Sequence, residues 1–138
     1  MKEIFITSDQ LDTKACTEAV NYPGAGGVVV FVGTVRDATK GKAVLHLEFE
    51  AYEKMALKEM QKIAEEATTR WGLRKMVIHH RTGLVPIGEE AVVIACSSAH
   101  RKEAFQACEY AIDTLKETVP IWKKEKFEDG EVWVSAHP

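Results

Sequence analysis

Two segments of the chain have the apolar spacing of amphipathic helices. Between Glu53 and Trp71 apolar residues recur with a period near 3.6, and Gly72 follows as a stop signal. A second segment runs from about Arg101 to Glu117 and ends before Pro120, which cannot continue a helix because it lacks an N–H group. Its apolar stripe consists of Ala104, Phe105, Cys108, Ala111, Ile112 and Leu115.

Short strand-like segments alternate with these helices. They cover residues 4–7, 26–37, 43–52, 74–83, 89–99, 120–127 and 131–136. In the third of them Leu45, Leu47, Phe49 and Ala51 alternate with polar residues, which indicates a half-buried strand. Residues 26–37 and 43–52, joined by a short polar loop, are expected to form a hairpin, and Asp129-Gly130 predicts another.

The order of these segments predicts the fold class. Ser8 or Asp9 is expected to cap a first short helix, which gives the order β-α-β-β-α-β-β-α-β-β. Hairpins mixed with helical crossovers are typical of an α+β sandwich with a mostly antiparallel sheet and flanking helices. No linker divides the chain, so residues 1–138 are predicted to form a single domain.

Composition narrows the possible classes of protein. A chain of 138 residues has the usual size of one domain, and 46% apolar with 28% charged residues is typical of a folded globular protein. Lys and Arg number 18 against 21 Asp and Glu, so the overall charge does not favour nucleic acid and any anion site must be local.

The start of the chain, its apolar runs and its cysteines indicate where in the cell the protein is expected. No apolar run reaches the roughly 20 residues of a membrane span, and the start lacks a signal-peptide pattern, so the expected location is the cytoplasm without membrane attachment. Cys16, Cys96 and Cys108 are widely spaced and form no C-x-x-C, which predicts reduced thiols rather than disulfides or a zinc site.

The stretch TLKETVPIWKKEKFE, residues 114–128, gathers cations around an apolar step. Lys116 lies at a helix end, and in an extended segment Lys123 shares a face with Glu125, opposite Lys124 and Lys126. Taken singly, these are a solvated helix-terminal lysine and a charge-protected edge strand. Together, Lys116 and Lys123 can meet at one spot, where each lowers the pKa of the other and both attract an anion.

Two further segments have the residues of an anion site. Ser97, Ser98 and His100 precede a helix N-terminus, where Arg101 adds a planar fork suited to phosphate; the alternative is an ordinary serine N-cap. Arg36 ends a buried strand in GTVRD and is either a solvent-facing residue or a ligand clamp.

The histidines and cysteines give weaker indications of a functional site. His79 and His80 are expected on opposite faces of a strand, which makes a shared metal ion unfavourable. Cys96 and Cys108 have apolar neighbours and are interpreted as packing groups.

With these segments placed, the chain resembles the large, catalytic subunit of molybdopterin synthase, the MoaE family. The resemblance runs from about Gly26 to Ala136. It is carried, in order, by VVVFVGTVRD, LEFEAYEKMA, RWGL, HHRTGLVPIGE, SSAHR, LKETVPIWKKE and the closing segment Trp133 to Ala136.

The family implies an α/β hammerhead fold, a homodimer, and a heterotetramer with two copies of a small ubiquitin-like subunit ending in Gly-Gly. The small subunit's C-terminal thiocarboxylate inserts into a pocket and supplies sulfur to cyclic pyranopterin monophosphate. Two such transfers build the dithiolene of molybdopterin. The sulfur arrives already activated, so the resemblance implies no metal or redox cofactor.

The resemblance also assigns residues. Lys116 and Lys123 match the active-site lysines of the family. The substrate-contacting positions are matched by Thr34, Val35, Arg36, His100, Arg101, Lys124 and Glu125, with His100 and Arg101 reaching in from the neighbouring protomer. Some members have a basic residue near the C-terminus, where this chain has Ser135, Ala136, His137 and Pro138.

Two other functions stay open. A non-catalytic dimeric module could use the same cationic pocket to bind a phosphorylated metabolite, without turnover and without a Gly-Gly-tailed partner. Sulfur transfer through a cysteine persulfide would instead require Cys96 or Cys108 to be exposed and reactive.

Overall fold

The computed structural model describes residues 1–135, which form nine strands and three helices. In chain order they are β1 (Lys2–Thr7), α1 (Thr13–Val20), β2 (Gly27–Thr34), β3 (Ala38–Thr39), β4 (Lys42–Ala51), α2 (Glu53–Trp71), β5 (Lys75–Arg81), β6 (Gly83–Pro86), β7 (Glu90–Ser98), α3 (Arg101–Thr118), β8 (Ile121–Phe127) and β9 (Gly130–Ser135). Residues 136–138 lie outside the described residues. They include the end of the closing segment and most of the C-terminal stretch in which some members of the resembled family have a basic residue.

The first sheet has the strand order β1-β5-β7-β2. Only β1 and β5 pair in parallel within it, and the other pairs are antiparallel. Successive side chains of a strand point to opposite faces. On β5, Val77 therefore packs with α1, whereas Met76 and Ile78 belong to the main core beneath α2 and α3.

The second sheet is antiparallel and has the order β3-β4-β8-β9, with β6 also paired to β4. Its inner face contributes Leu47, Phe49, Ile121 and Phe127 to the same main core. One apolar core therefore joins both sheets and the two long helices. The α+β class with mostly antiparallel sheets and flanking helices is confirmed, with two sheets where the sequence suggested one.

The hairpin expected between residues 26–37 and 43–52 is wrong. The first of these segments, β2, pairs with β7, and the second, β4, pairs with β8 and β6. The chain changes sheets at Val35, whose N–H donates to the carbonyl of Glu89 and whose carbonyl accepts from Gly88. A short polar loop thus links two sheets. The second expected hairpin, β8 with β9 through Asp129-Gly130, is confirmed.

Three local expectations are corrected. Helix α1 is capped by Asp12, whose Oδ1 accepts from the N–H of Ala15 at 2.9 Å, not by Ser8 or Asp9, because the helix begins at Thr13. Phe105 is 60% exposed, since the buried stripe of α3 passes through Ala104, Ala107 and Cys108. Leu45 is 50% exposed, because a register shift between Val44 and His46 turns Val44 inward instead.

Both long helices end where the sequence predicts. Gly72 ends α2 in the left-handed conformation with φ 64°, which a side chain would strain. Helix α3 ends at Thr118, and the carbonyl of the buried Pro120 accepts from the N–H of Tyr52 at 3.1 Å. The chain therefore passes directly from α3 into β8. None of the helices within residues 1–135 is both long and apolar enough to cross a membrane.

Candidate active site

A cavity of about 220 Å³ lies where the two sheets meet the C-terminal end of α3. Most of its wall is apolar and includes Phe31 from β2 and Phe49 from β4. Its polar lining residues are Thr34, His80, Lys116 and Lys123. An apolar cavity with a few convergent polar groups is the usual form of a ligand site.

Lys116 and Lys123 reach this cavity from different elements. Lys116 lies in the last turn of α3, and Lys123 lies on the inner face of β8, directly opposite Phe49 of β4. Burial lowers the pKa of Lys123 below its ordinary value, and the charges of Lys116 and Arg36 lower it further. Glu125 opposes this effect. The convergence expected from the sequence is present in the structure.

The GTVRD segment supplies a third cation. The pairing of β2 with β7 is irregular between Gly33 and Thr34, and bulges of this kind often re-aim side chains beside active sites. Thr34 lines the cavity, whereas Val35 is buried. Arg36 is exposed yet close enough to act on the charge of Lys123. Arg36 therefore adds an exposed positive charge near Lys123.

Glu125 and Lys124 have different surroundings although they are adjacent. Glu125 is only 7% exposed, and its Oε2 accepts from the Oγ1 hydroxyl of Thr39 at 2.5 Å. Lys124 lies on the opposite face of β8, where its Nζ pairs with Glu48 at 3.4 Å and Glu131 at 3.5 Å. The structure does not bring Lys124 to the cavity, so its substrate contact stays a prediction.

His100 and Arg101 lie at the other end of α3. Arg101 precedes Lys116 by fifteen residues of helix, which at 1.5 Å per residue separates them by about 22 Å. They border a separate open depression together with Phe105. One protomer therefore cannot present Arg101 and Lys116 to the same small ligand, and the assignment to a neighbouring protomer stays a prediction.

The N-terminus of α3 has no serine cap. Its N-cap residue is His100, without a side-chain cap hydrogen bond among the described residues. The hydroxyl of Ser97 donates to the carbonyl of Val20 at 2.5 Å, and that of Ser98 donates to the carbonyl of His100. A Cβ at Gly27 would lie 2.9 Å from the Cα of Arg101, so the glycine permits β2 to approach the helix.

His80 is a cavity residue that sequence reasoning missed. It is 4% exposed, its Nδ1 lies 2.8 Å from the carbonyl of Arg81, and its ring meets Phe49 edge-on at 5.3 Å. Burial lowers its pKa to about 4. The available signal was alternation along β5, which places a polar residue on the same face as Met76 and Ile78.

His79 lies on the opposite face of β5, as expected. Its Nε2 lies 2.7 Å from Oε2 of Glu3, and its Nδ1 lies 3.3 Å from Sγ of Cys16. Burial, with smaller effects of Glu3 and Asp12, raises the pKa of Cys16 to about 11. Within the described part of the chain no three His, Cys, Asp or Glu side chains are grouped to hold a metal ion.

The persulfide alternative lacks the exposure that it requires. Cys96 and Cys108 are both buried as free thiols. Hydrogen bonding to Cys108, together with burial, raises the pKa of Cys96 far above the ordinary range of a thiol. These cysteines are packing groups between β7 and α3.

The fold and the cavity define an α+β protein with a pocket lined by two lysines. The model of the MoaE protein family matches residues 6–118. The chain belongs to the MoaE family.

Named relatives extend this similarity over most of the chain. Molybdopterin synthase catalytic subunit 1 of Aedes aegypti is 48% identical over 132 residues, which is 95% of this chain and 85% of that protein. The crystal structure of molybdopterin synthase from Staphylococcus aureus is 45% identical and covers 94% of each chain with a TM-score of 0.89. A complex of subunits 1 and 2 of molybdopterin-converting factor from Helicobacter pylori matches at 25% identity, with a TM-score of 0.73 over 99% of this chain and 93% of that one.

Proposed function

We propose that this chain is the catalytic subunit of a molybdopterin synthase in molybdenum cofactor biosynthesis. It converts cyclic pyranopterin monophosphate to molybdopterin with sulfur from the C-terminal thiocarboxylate of a small ubiquitin-like subunit. The observation that carries the proposal is the meeting of Lys116 and Lys123 in one cavity, in a chain 48% identical to a named catalytic subunit.

Charge explains why such a reaction needs this cavity. The substrate has a cyclic phosphate and the donor has a thiocarboxylate, so two anions must come together. Like unit charges 4 Å apart repel by about 4 kcal/mol at an effective dielectric constant of ~20. Lys116, Lys123 and Arg36 offset this repulsion, and fixed cations in a partly dry site also stabilise charge that develops during the reaction.

The two lysines have separable roles. Lys116, at the exposed end of α3, carries protons or transiently holds the acyl end of the partner's tail. Lys123, more buried and opposite Phe49, positions the anionic groups. Its lowered pKa also suits it to exchange a proton nearer neutral pH than an ordinary lysine. The proposed substrate-contacting set also includes Thr34, Val35, Lys124 and Glu125.

The proposed assembly is a heterotetramer built on a homodimer. The related Helicobacter pylori structure is a complex of two different subunits, which supports a small-subunit partner. The separation of Arg101 from Lys116 along α3 supports self-association, because a second protomer is needed to bring His100 and Arg101 to the cavity. Buried free thiols fit the proposed cytoplasmic location, where cysteines stay reduced.

Mixing two inactive variants tests the shared site. Lys116→Ala and Arg101→Ala are each expected to be inactive, but a mixed dimer contains one pocket with both native residues. Random exchange of protomers should restore about a quarter of wild-type activity, because half of the dimers are mixed and each has one intact pocket. Activity is measured after co-refolding. No recovery in dimers shown to be mixed would contradict a site shared between protomers.

Reconstitution tests the function itself. The purified chain is combined with a thiocarboxylated small subunit and cyclic pyranopterin monophosphate, and molybdopterin formation is followed. The same mixture with a small subunit ending in an ordinary carboxylate is the control and should give no product. Binding of the phosphorylated pterin without turnover would favour the non-catalytic binding module.

A further inference from the structure

We infer that His80 is a further ligand-contacting residue of the cavity and that its Nε2 accepts a hydrogen bond from an N–H group of the bound ligand. The inference rests on the proposed function, because it adds a residue to the same site. It assigns to the cavity an acceptor in addition to its cationic donors.

The position of His80 is set by the first sheet. On β5 it pairs with Val92 of β7, which pairs in turn with Gly33 of β2, and all three residues line the cavity. The imidazole therefore lines the cavity from the first sheet, whereas Lys123 lines it from the second. Its surroundings hold it firmly, since it is 4% exposed and packs edge-on against Phe49.

The hydrogen bond to Arg81 determines which ring nitrogen has the proton. A backbone carbonyl can only accept, so the 2.8 Å contact between Nδ1 and the carbonyl of Arg81 requires an N–H at Nδ1. In the neutral ring Nε2 then has a free lone pair. Among residues 1–135 the only hydrogen bond of the His80 side chain is the one from Nδ1 to Arg81, and the side chain lines the cavity, so a ligand there can supply a partner for Nε2.

The charges that face His80 keep it an acceptor. Lys116 and Lys123 line the same cavity, and a protonated imidazole there would add a further positive charge. Burial already disfavours the charged form and lowers the pKa to about 4, which leaves the ring neutral near neutral pH. Ammonium groups donate but do not accept. His80 therefore recognises what the lysines cannot, an N–H donor next to an anion.

Two ligands of the proposed reaction have this chemistry. The backbone of the Gly-Gly tail has amide N–H groups beside its thiocarboxylate, and the reduced pterin has ring N–H groups. The cavity of about 220 Å³ is smaller than the roughly 300–1,000 Å³ typical of whole-ligand pockets, so part of one ligand fills it. Either source provides the same donor, and binding measurements distinguish them.

The test compares His80→Leu, which removes the acceptor, with His80→Gln, which retains one. We expect His80→Leu to raise KM or the dissociation constant of one ligand by about 10- to 100-fold, the effect of leaving a buried donor unpaired. His80→Gln should recover most of this loss. His79→Leu, the same substitution one residue earlier on the opposite face, is the matched control and should behave as wild type.

Separate binding arms identify the source of the donor. A synthetic peptide ending in Gly-Gly probes the tail, and cyclic pyranopterin monophosphate without the small subunit probes the pterin. Weakened peptide binding assigns the contact to the tail, and weakened pterin binding assigns it to the ring. Unchanged kcat, KM and binding of both probes in folded His80→Leu would overturn the inference.

A measurement on the unmutated protein covers the case in which His80→Leu does not fold. The ¹⁵N resonance of Nε2 in wild type should move when one of the two probes saturates the site, since hydrogen bonding changes the shielding of an unprotonated ring nitrogen. No movement with either bound probe contradicts the inference. This titration does not need turnover, so an inactive wild-type enzyme would refute the proposed function while the histidine contact is still tested.

Discussion

Lys116→Ala is expected to reduce sulfur transfer by about 10²- to 10⁴-fold, the range for losing a group that moves a proton or forms a covalent intermediate. Complex formation with the small subunit should persist. Lys116 is exposed in the last turn of α3, so its removal leaves the buried stripe of the helix intact. The measurements are product formation in single turnover and co-elution of the two subunits.

Lys126→Ala is the matched control for this variant. Lys126 belongs to the same cationic stretch, but it lies on the outer face of β8 and pairs with Glu131 at 3.5 Å. An exposed ion pair of this kind stabilises a protein by about 0–1 kcal/mol, so the control should keep its activity and fold. Full turnover by Lys116→Ala would exclude Lys116 from the reaction. Equal loss in both variants would indicate an effect of total charge alone.

Lys123→Met is expected to abolish activity while leaving the fold at least as stable as wild type near neutral pH. The substitution removes the ammonium group that is proposed to hold the anions together, and we expect a loss of at least about 10²-fold, as for other single electrostatic contacts to reacting groups. The same ammonium group is costly to the folded state, because burial and the nearby Lys116 and Arg36 disfavour its charge. Methionine has an uncharged side chain similar in length to the aliphatic part of lysine, so it keeps the packing contacts and removes only the charge.

The pH dependence of stability distinguishes this explanation from a general packing effect. The pKa of Lys123 is lower in the folded chain than its ordinary value of 10.5. At a pH between the lowered pKa of the folded chain and 10.5, the unfolded chain binds more protons at Lys123 than the folded chain does. The contribution of Lys123 to the free energy of unfolding therefore rises with pH in this range. Urea unfolding at increasing alkaline pH should show this rise in wild type and in Lys126→Met, but not in Lys123→Met. Parallel pH profiles in all three proteins would contradict a lowered pKa.

The positions of Lys116 and Lys123 could largely be predicted from local sequence patterns. The apolar period of α3 and the stop at Pro120 place Lys116 at a helix end, and alternation along β8 puts Lys123 on the inner face with Glu125. The same alternation separates Lys124 from them. Each of these inferences needs only a few neighbouring residues.

The pairing of strands could not be predicted in the same way. A polar loop between β2 and β4 is compatible with a hairpin, and nothing in those segments reveals that β2 pairs with a strand more than fifty residues later. His80 was missed for the same reason. Alternation along β5 could place it on the inner face, but its proposed role depends on Val92, Phe49 and Lys116, which come from three separate elements and meet only when the sheets are assembled.

The direct passage from α3 to β8 has a consequence for the energetics of the site. Lys116 follows the buried Leu115 and Lys123 lies two residues beyond the buried Ile121, while Pro120 is fixed by the N–H of Tyr52. The entropy lost in bringing the two lysine backbones to one cavity is therefore a cost of folding, not of binding. In the proposed reaction the two anions meet a pair of lysines that the apolar core has already placed at one cavity.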